Sequence, residues 1–169
     1  MTATVEIAEA EAHDALGVFA VIEAAFGQDD EAKLVVALER ERAIVLSLVA
    51  KRDGDLVGSC VFSRVRLEGG ANARPAVALA PLAVAPAFQR QGLGALLVRD
   101  GLARLEGAGE RLALVVGEPP YYGRFGFSSE LAADIETPWN VGPALQALVF
   151  DGPPPGRCRA IYAAAFGAF

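Results

Sequence analysis

Between Ala15 and Phe26 the apolar residues Ala15, Val18, Phe19, Ile22, Ala25 and Phe26 recur at helical spacing, which predicts a helix capped by Asp14. The polar run Gly27-Gln28-Asp29-Asp30 interrupts it, and Leu34, Val35 and Leu38 mark a second helix ending near Arg40. A short strand, Val5–Ile7, precedes both. From Ile44 the period changes. Ile44–Ala50 and Leu56–Leu67 are rich in β-branched residues, and Lys51–Asp55 between them contains Asp53-Gly54, a pair suited to the left-handed geometry of a hairpin turn. After the polar loop Glu68–Arg74, the nearly unbroken apolar run Ala76–Val84 predicts a strand covered on both faces. Pro81 cannot donate to a ladder, so a bulge or splaying is expected around Ala80–Leu82, leaving neighbouring backbone groups free.

The helical period returns with Leu97, Val98, Gly101, Leu102 and Leu105, while Arg99, Asp100, Arg104 and Glu106 turn away. Gly107 and Gly109 stop this helix, and Arg111–Val116 reads as a buried strand. Strand, glycine turn, helix and strand form the pattern of a right-handed parallel crossover. Pro119-Pro120 precede a helical turn at Tyr121–Arg124, and Phe127 is expected to begin a further strand. The rest is less patterned: Gly152–Gly156, with three prolines, is a rigid connector, and Arg159–Ala163 a last strand. The expected fold is mixed α/β, a central and mostly antiparallel sheet with helices on both faces.

Composition narrows the function. At 169 residues and 53% hydrophobic content the chain suits one domain, residues 1–169, better than two. Mean hydropathy is +0.35, yet no apolar stretch approaches the ~20 residues of a spanning helix, so no membrane partner is expected. Met1–Ala10 carries Glu6 and Glu9, no basic residue and no apolar centre, unlike a secretion signal, and a cytoplasmic location is expected. A net charge of −6 argues against tracking a nucleic-acid backbone and is compatible with a cationic substrate. Cys60, Cys158 and the single His13 are too few and too scattered for a metal site. The cysteines read as buried apolar residues, and His13 as a surface residue.

The candidate chemistry lies in Gln89-Arg90-Gln91-Gly92-Leu93-Gly94, between the Ala76–Val84 strand and the following helix. Glycines at positions 92 and 94 let the backbone approach a ligand, and amides opening a helix offer unpaired donors and partial positive charge to phosphate oxygens. A dinucleotide fold would want GxGxxG and a later acidic ribose partner, and a Walker loop would want Gly-Lys-Ser or Gly-Lys-Thr; neither pattern is convincing here. The Gln-x-x-Gly-x-Gly loop, with Tyr121-Tyr122-Gly123-Arg124-Phe125-Gly126-Phe127 downstream, resembles the acetyl-coenzyme A site of GCN5-related N-acetyltransferases (GNAT), over roughly Ala78–Phe127.

The resemblance implies a GNAT-like fold in which the strands ending at Val84 and Val116 diverge and the pantetheine arm of acetyl-CoA acts as a substitute strand. Backbone groups of Leu82, Ala83 and Val84 would pair with that arm. Amides of Arg90, Gln91, Gly92, Leu93, Gly94 and Ala95 would hold the pyrophosphate, with Gln89 helping at the edge and the Arg90 side chain either a phosphate contact or a solvated charge. Tyr122, separated by three residues from Gly126-Phe127, would be the general acid for a thiolate leaving group. Tyr121 and Phe125 read as packing. Glu118 is a candidate base or water-positioning group, with Glu23 and the Asp29-Asp30 pair as others, and a backbone amide near Leu82 or Ala83 would hold the oxyanion. Phe26–Asp30 and Thr137–Gly142, which includes Trp139 and Asn140, would border the acceptor. The implied activity is direct transfer of an acetyl group from acetyl-CoA to an amine, on a small molecule or a peptide, by a monomer or homodimer that uses no metal. A non-catalytic acyl-CoA-binding or sensor module is the rival.

Overall fold

The change of period along the chain appears in the structure, a computed structural model describing residues 2–168, as two helices set ahead of a sheet. Strand β1 (Val5–Glu9) leads through a 3-10 turn, Ala12–Asp14, into α1 (Ala15–Phe26) and α2 (Asp30–Arg40). Asp14 does not cap α1 with its side chain. Its carboxylate instead accepts from the Glu11 amide at 2.9 Å and pairs with Lys51 at 3.0 Å, two contacts that hold its pKa below the ordinary value. The hairpin of β2 (Ile44–Arg52) and β3 (Asp55–Glu68) turns at Asp53-Gly54, both at positive φ (51° and 90°), as the sequence predicts.

Next come β4 (Ala76–Val84), α3 (Leu93–Gly107), β5 (Leu112–Val116), α4 (Pro119–Tyr122), β6 (Ile135–Glu136), β7 (Leu145–Val149) and β8 (Cys158–Ile161). The sheet order is β1-β2-β3-β4-β5-β7, with β8 pairing β3 and β6. All pairs are antiparallel except β4 with β5 and β6 with β8. One further expectation is corrected, and one strand was not foreseen. Phe127 begins no strand: Gly126 turns the chain at φ 98°, and only an isolated Ser128–Ala147 bridge follows. Leu145–Val149 is a strand, antiparallel to β5.

Side-chain alternation divides the core. Leu48, Cys60, Phe62, Val77, Leu79, Ala113 and Val115 face α3. The intervening residues face the other side, where α1 and α2 cover Val49, Val61 and Ala83, and a C-terminal layer covers Ala76, Ala78, Leu112 and Leu114. Phe62 is fully buried under α3, a burial that contributes on the order of 2–3 kcal/mol.

The feature that creates a site is in β4. Phe62 pairs with Leu79 and Cys60 with Leu82, so three steps along β4 oppose two along β3. The extra residue lies at Ala80-Pro81, where the proline predicted a bulge. One extra residue reverses the alternation: Leu79, Leu82 and Val84 all pack toward the α3 side, and Ala83 packs under α1. The parallel ladder to β5 ends at the same point, with Leu79↔Val115 as its last pair. Beyond it β4 runs on to Val84 without β5 beside it.

Candidate active site

The loop after β4 is built around two left-handed residues, Arg90 (φ 62°) and Gly92 (φ 82°), with Gly92 as the N-cap of α3. Side chains brace it. Gln89 Nε2 donates to the Val84 carbonyl at 2.9 Å, tying the loop to the strand it leaves. Arg52 Nη1 donates to Gln91 Oε1 at 2.7 Å, and Gln91 Nε2 reaches the Ala87 carbonyl at 3.4 Å. The side chains of Gln89 and Gln91 therefore shape the loop.

Within α3 the first backbone bond runs from the Leu96 amide to the Gly92 carbonyl at 3.0 Å. The amides of Leu93, Gly94 and Ala95 precede it, at the positive end of the helix. They border a cavity of about 500 Å³ lined by Leu82, Val84, Phe88, Gln89, Arg90, Gly92, Leu93, Gly94, Ala95, Tyr121 and Arg124. Most of the cofactor-site residues singled out in the sequence thus meet around one space. Ala83 points away, under α1, so only its backbone can serve there.

Two residues that sequence reading passed over belong to this cavity. Tyr121 reads as packing, yet a Cβ added to Gly94 would lie 2.9 Å from its hydroxyl, so the phenol rests on the helix start. The Arg124 guanidinium stands 4.6 Å from the Tyr121 ring centre and 5.3 Å from that of Phe125, and its Nε donates to the Tyr121 carbonyl at 3.3 Å. With Arg90, it gives a chain of net charge −6 a local cationic rim. Arg52 over Phe88 and Arg99 over Phe125, at 5.3 and 5.0 Å, add to it. Arginine over an aromatic face thirty residues beyond Gly94 leaves no spacing signal in the sequence.

Tyr122 lies deeper. Its ring rests on Gly117 and is half buried, 4.9 Å from Tyr121 and 5.9 Å from Phe127 between centres. Burial pushes its hydroxyl well above the ordinary tyrosine value, with the neighbouring Cys60 and Tyr121 adding to the effect. The shelf beneath it is fixed by Gln146, whose buried amide donates to the carbonyls of Gly117 (3.2 Å) and Ala144 (3.3 Å). Glu118 contributes its carbonyl, which accepts from the Tyr121 and Tyr122 amides, both at 3.1 Å. Its side chain is exposed and does not line this cavity.

A second cavity, of about 240 Å³, lies where the ladder opens. Ala78, Leu79, Ala80, Val115 and Val116 form one wall, and Trp139, Val141, Tyr162 and Phe166 of the C-terminal layer the other. Trp139 and Val141 of Thr137–Gly142 line this cavity, while Phe26–Asp30 lines neither. His13 is exposed, beside Glu11 and Asp14. Cys60 and Cys158 are both free and buried in different parts of the core, and burial raises both thiols, which disfavours them as nucleophiles.

The chain that carries this parted parallel pair, with a helix N-terminus at the end of one strand and a tyrosine beyond the end of the other, is similar to known proteins. The family model for an acetyltransferase (GNAT) domain matches residues 6–129. The chain is 37% identical over 127 residues to the Uncharacterized N-acetyltransferase YhbS of Escherichia coli strain K12, covering 75% of each. The crystal structure of the GNAT family N-acetyltransferase YhbS from Escherichia coli in complex with CoA superposes with a TM-score of 0.88 at 30% identity, covering 100% of this chain and 95% of that one. A GNAT family acetyltransferase from Brucella melitensis in complex with acetyl-CoA gives 0.82 at 35% identity, with 96% and 98% covered. The chain belongs to the GNAT family of acetyltransferases.

Proposed function

We propose that this chain moves an acetyl group from acetyl-CoA to a primary amine, directly, with both substrates bound. One observation carries the proposal: β4 and β5 part at Leu79–Val115, and the space on the α3 side differs in chemistry from that on the C-terminal side. The first has helix amides and arginines suited to a diphosphate; the second is apolar and faces the gap.

The residues fit the coenzyme. Amides of Leu93, Gly94 and Ala95, with Arg90 and Arg124, would hold the diphosphate, and backbone groups of Leu82–Val84 that β5 leaves unpaired would pair with the pantetheine amides. When bound, the coenzyme supplies the acetyl group as a thioester. The amine nitrogen bonds to the acetyl carbon as the carbon–sulfur bond breaks; the amine loses a proton to water, and the departing thiolate takes one from water. Tyr122 donates a hydrogen bond to the departing sulfur. Ordinary pKa values near 10 and 8.5 make complete proton transfer from a tyrosine to a thiolate uphill by about 2 kcal/mol. The raised Tyr122 makes it more so, and its role is to stabilise charge while staying protonated.

Steady-state thiol release that requires an added amine is the expected result. Tyr122→Phe should lower kcat by roughly 10- to 100-fold, at or below the low end of general-acid contributions, and leave coenzyme affinity nearly unchanged. Coenzyme binding without amine-dependent thiol release over a broad amine panel would contradict transfer and favour a sensor.

A further inference from the structure

The small cavity at the strand gap is walled by aromatic rings in an arrangement that selects a substrate. Trp139, Tyr162 and Phe166 meet edge to face: centres of Trp139 and Tyr162 are 4.7 Å apart at 69°, Tyr162 and Phe166 5.3 Å at 71°, Trp139 and Phe166 6.1 Å at 62°. All three remain partly accessible beside the cavity, although a core of such rings would ordinarily close to native density. Ala78 and Ala80 keep the opposite wall low, and Val115, Val116 and Val141 complete an apolar lining without a charged side chain. An adjoining space of about 370 Å³ shares the three rings and adds Glu136, Thr137 and Arg159 at its border.

Size and chemistry point to one class of molecule. A dry apolar cavity of about 150 Å³ admits a benzene ring, so 240 Å³ admits a ring with a short chain. Edge-to-face walls favour an aromatic guest over an alkyl one, by about 0.5–1.5 kcal/mol per ring pair beyond burial. Ala80 and Val116 are the first residues past the last β4–β5 pair, so an amine attached to such a ring reaches the gap from this pocket. An apolar surround also penalises an ammonium relative to the free amine, the form that attacks, so the pocket assists deprotonation, with no carboxylate among the described residues that line it.

We infer that Trp139, Tyr162 and Phe166 select an arylalkylamine as the acetyl acceptor, its ring among them and its nitrogen at the gap beside Ala80. The inference rests on the transferase reading above and names the substrate class of that site.

Trp139 is the only tryptophan in the chain, so its emission reports on the pocket without turnover. Titrating the CoA-bound protein with 2-phenylethylamine should change that emission saturably, while putrescine should not. In thiol-release assays, kcat/KM for 2-phenylethylamine should exceed that for putrescine at least tenfold. Phe166→Leu, which retains an apolar side chain, should raise KM for 2-phenylethylamine several-fold with coenzyme affinity unchanged. Trp139→Ala should do so more strongly, its folding checked by thermal melting. Acetyl-CoA binding and amine turnover with no preference for the aromatic amine would overturn the inference and leave the transferase reading standing; failure of acetyl-CoA to bind would remove both. Faster turnover of hexanoyl-CoA than acetyl-CoA, lost in Phe166→Leu, would assign the pocket to the acyl chain and overturn it as well.

Discussion

At the residue scale the decisive contacts join positions far apart in the chain. Gly92 was legible as a turn residue, and its φ of 82° agrees. Gly94 was legible as a place of close approach, but what approaches on the protein side is Tyr121, a contact no spacing reveals. Gly94→Ala should push the Tyr121 ring off the helix start and weaken acetyl-CoA binding about tenfold, roughly 1.4 kcal/mol, as read by calorimetry; unchanged affinity would show that the phenol does not shape the cradle. Tyr122 was legible from its place before Gly126-Phe127, whereas its burial on Gly117 was not. Because burial and the neighbouring Cys60 and Tyr121 raise its pKa, the protonated form persists through neutral and moderately alkaline pH. Any fall of kcat caused by its ionisation should therefore lie above pH 10.0, the ordinary tyrosine value. A descending limb below that value, absent in Tyr122→Phe, would contradict a raised tyrosine.

At the element scale the legible parts are those whose side chains follow one period. Ala76–Val84 and its bulge could be read because Pro81 forbids a regular ladder there, and the bounds agree with β4. Strand β7 could not. Its centre is Gln146, a polar residue buried to 1% exposure and held by the carbonyls of Gly117 and Ala144. A buried amide satisfied by distant backbone breaks the apolar run that identifies a core strand. Phe127 erred the other way, since its apolar side chain is buried in the core without strand pairing. The bulge itself is testable. Deleting Ala80 should remove the bulge, leave Leu82 and Val84 in regular alternation with Leu79 on the α3 face, let the ladder to β5 run on past Leu79, and abolish acetyl-CoA binding, while far-ultraviolet circular dichroism retains the sheet. Normal binding by a folded deletion variant would mean that the bulge plays no part in the site.

At the scale of the whole molecule, a chain of net charge −6 gathers Arg52, Arg90, Arg99 and Arg124 around one cavity or beside it. Composition alone pointed only to the overall sign, because clustering is a product of the fold. Screening shortens from about 10 Å at 0.1 M salt to about 3 Å at 1 M, so affinity for acetyl-CoA should fall several-fold across that range; constant affinity would argue that the arginines lie too far from the phosphates to matter. The fold otherwise divides the labour: α3 and its loop carry one face of the gap, and the C-terminal layer the other. A crystal structure of the protein grown with acetyl-CoA tests this division most directly. The account predicts the diphosphate within hydrogen-bond distance of the Leu93–Ala95 amides, and the thioester in the β4–β5 gap facing the pocket of Trp139, Tyr162 and Phe166. A coenzyme bound elsewhere, or a gap closed by protein side chains with the thioester pointing to solvent, would contradict it.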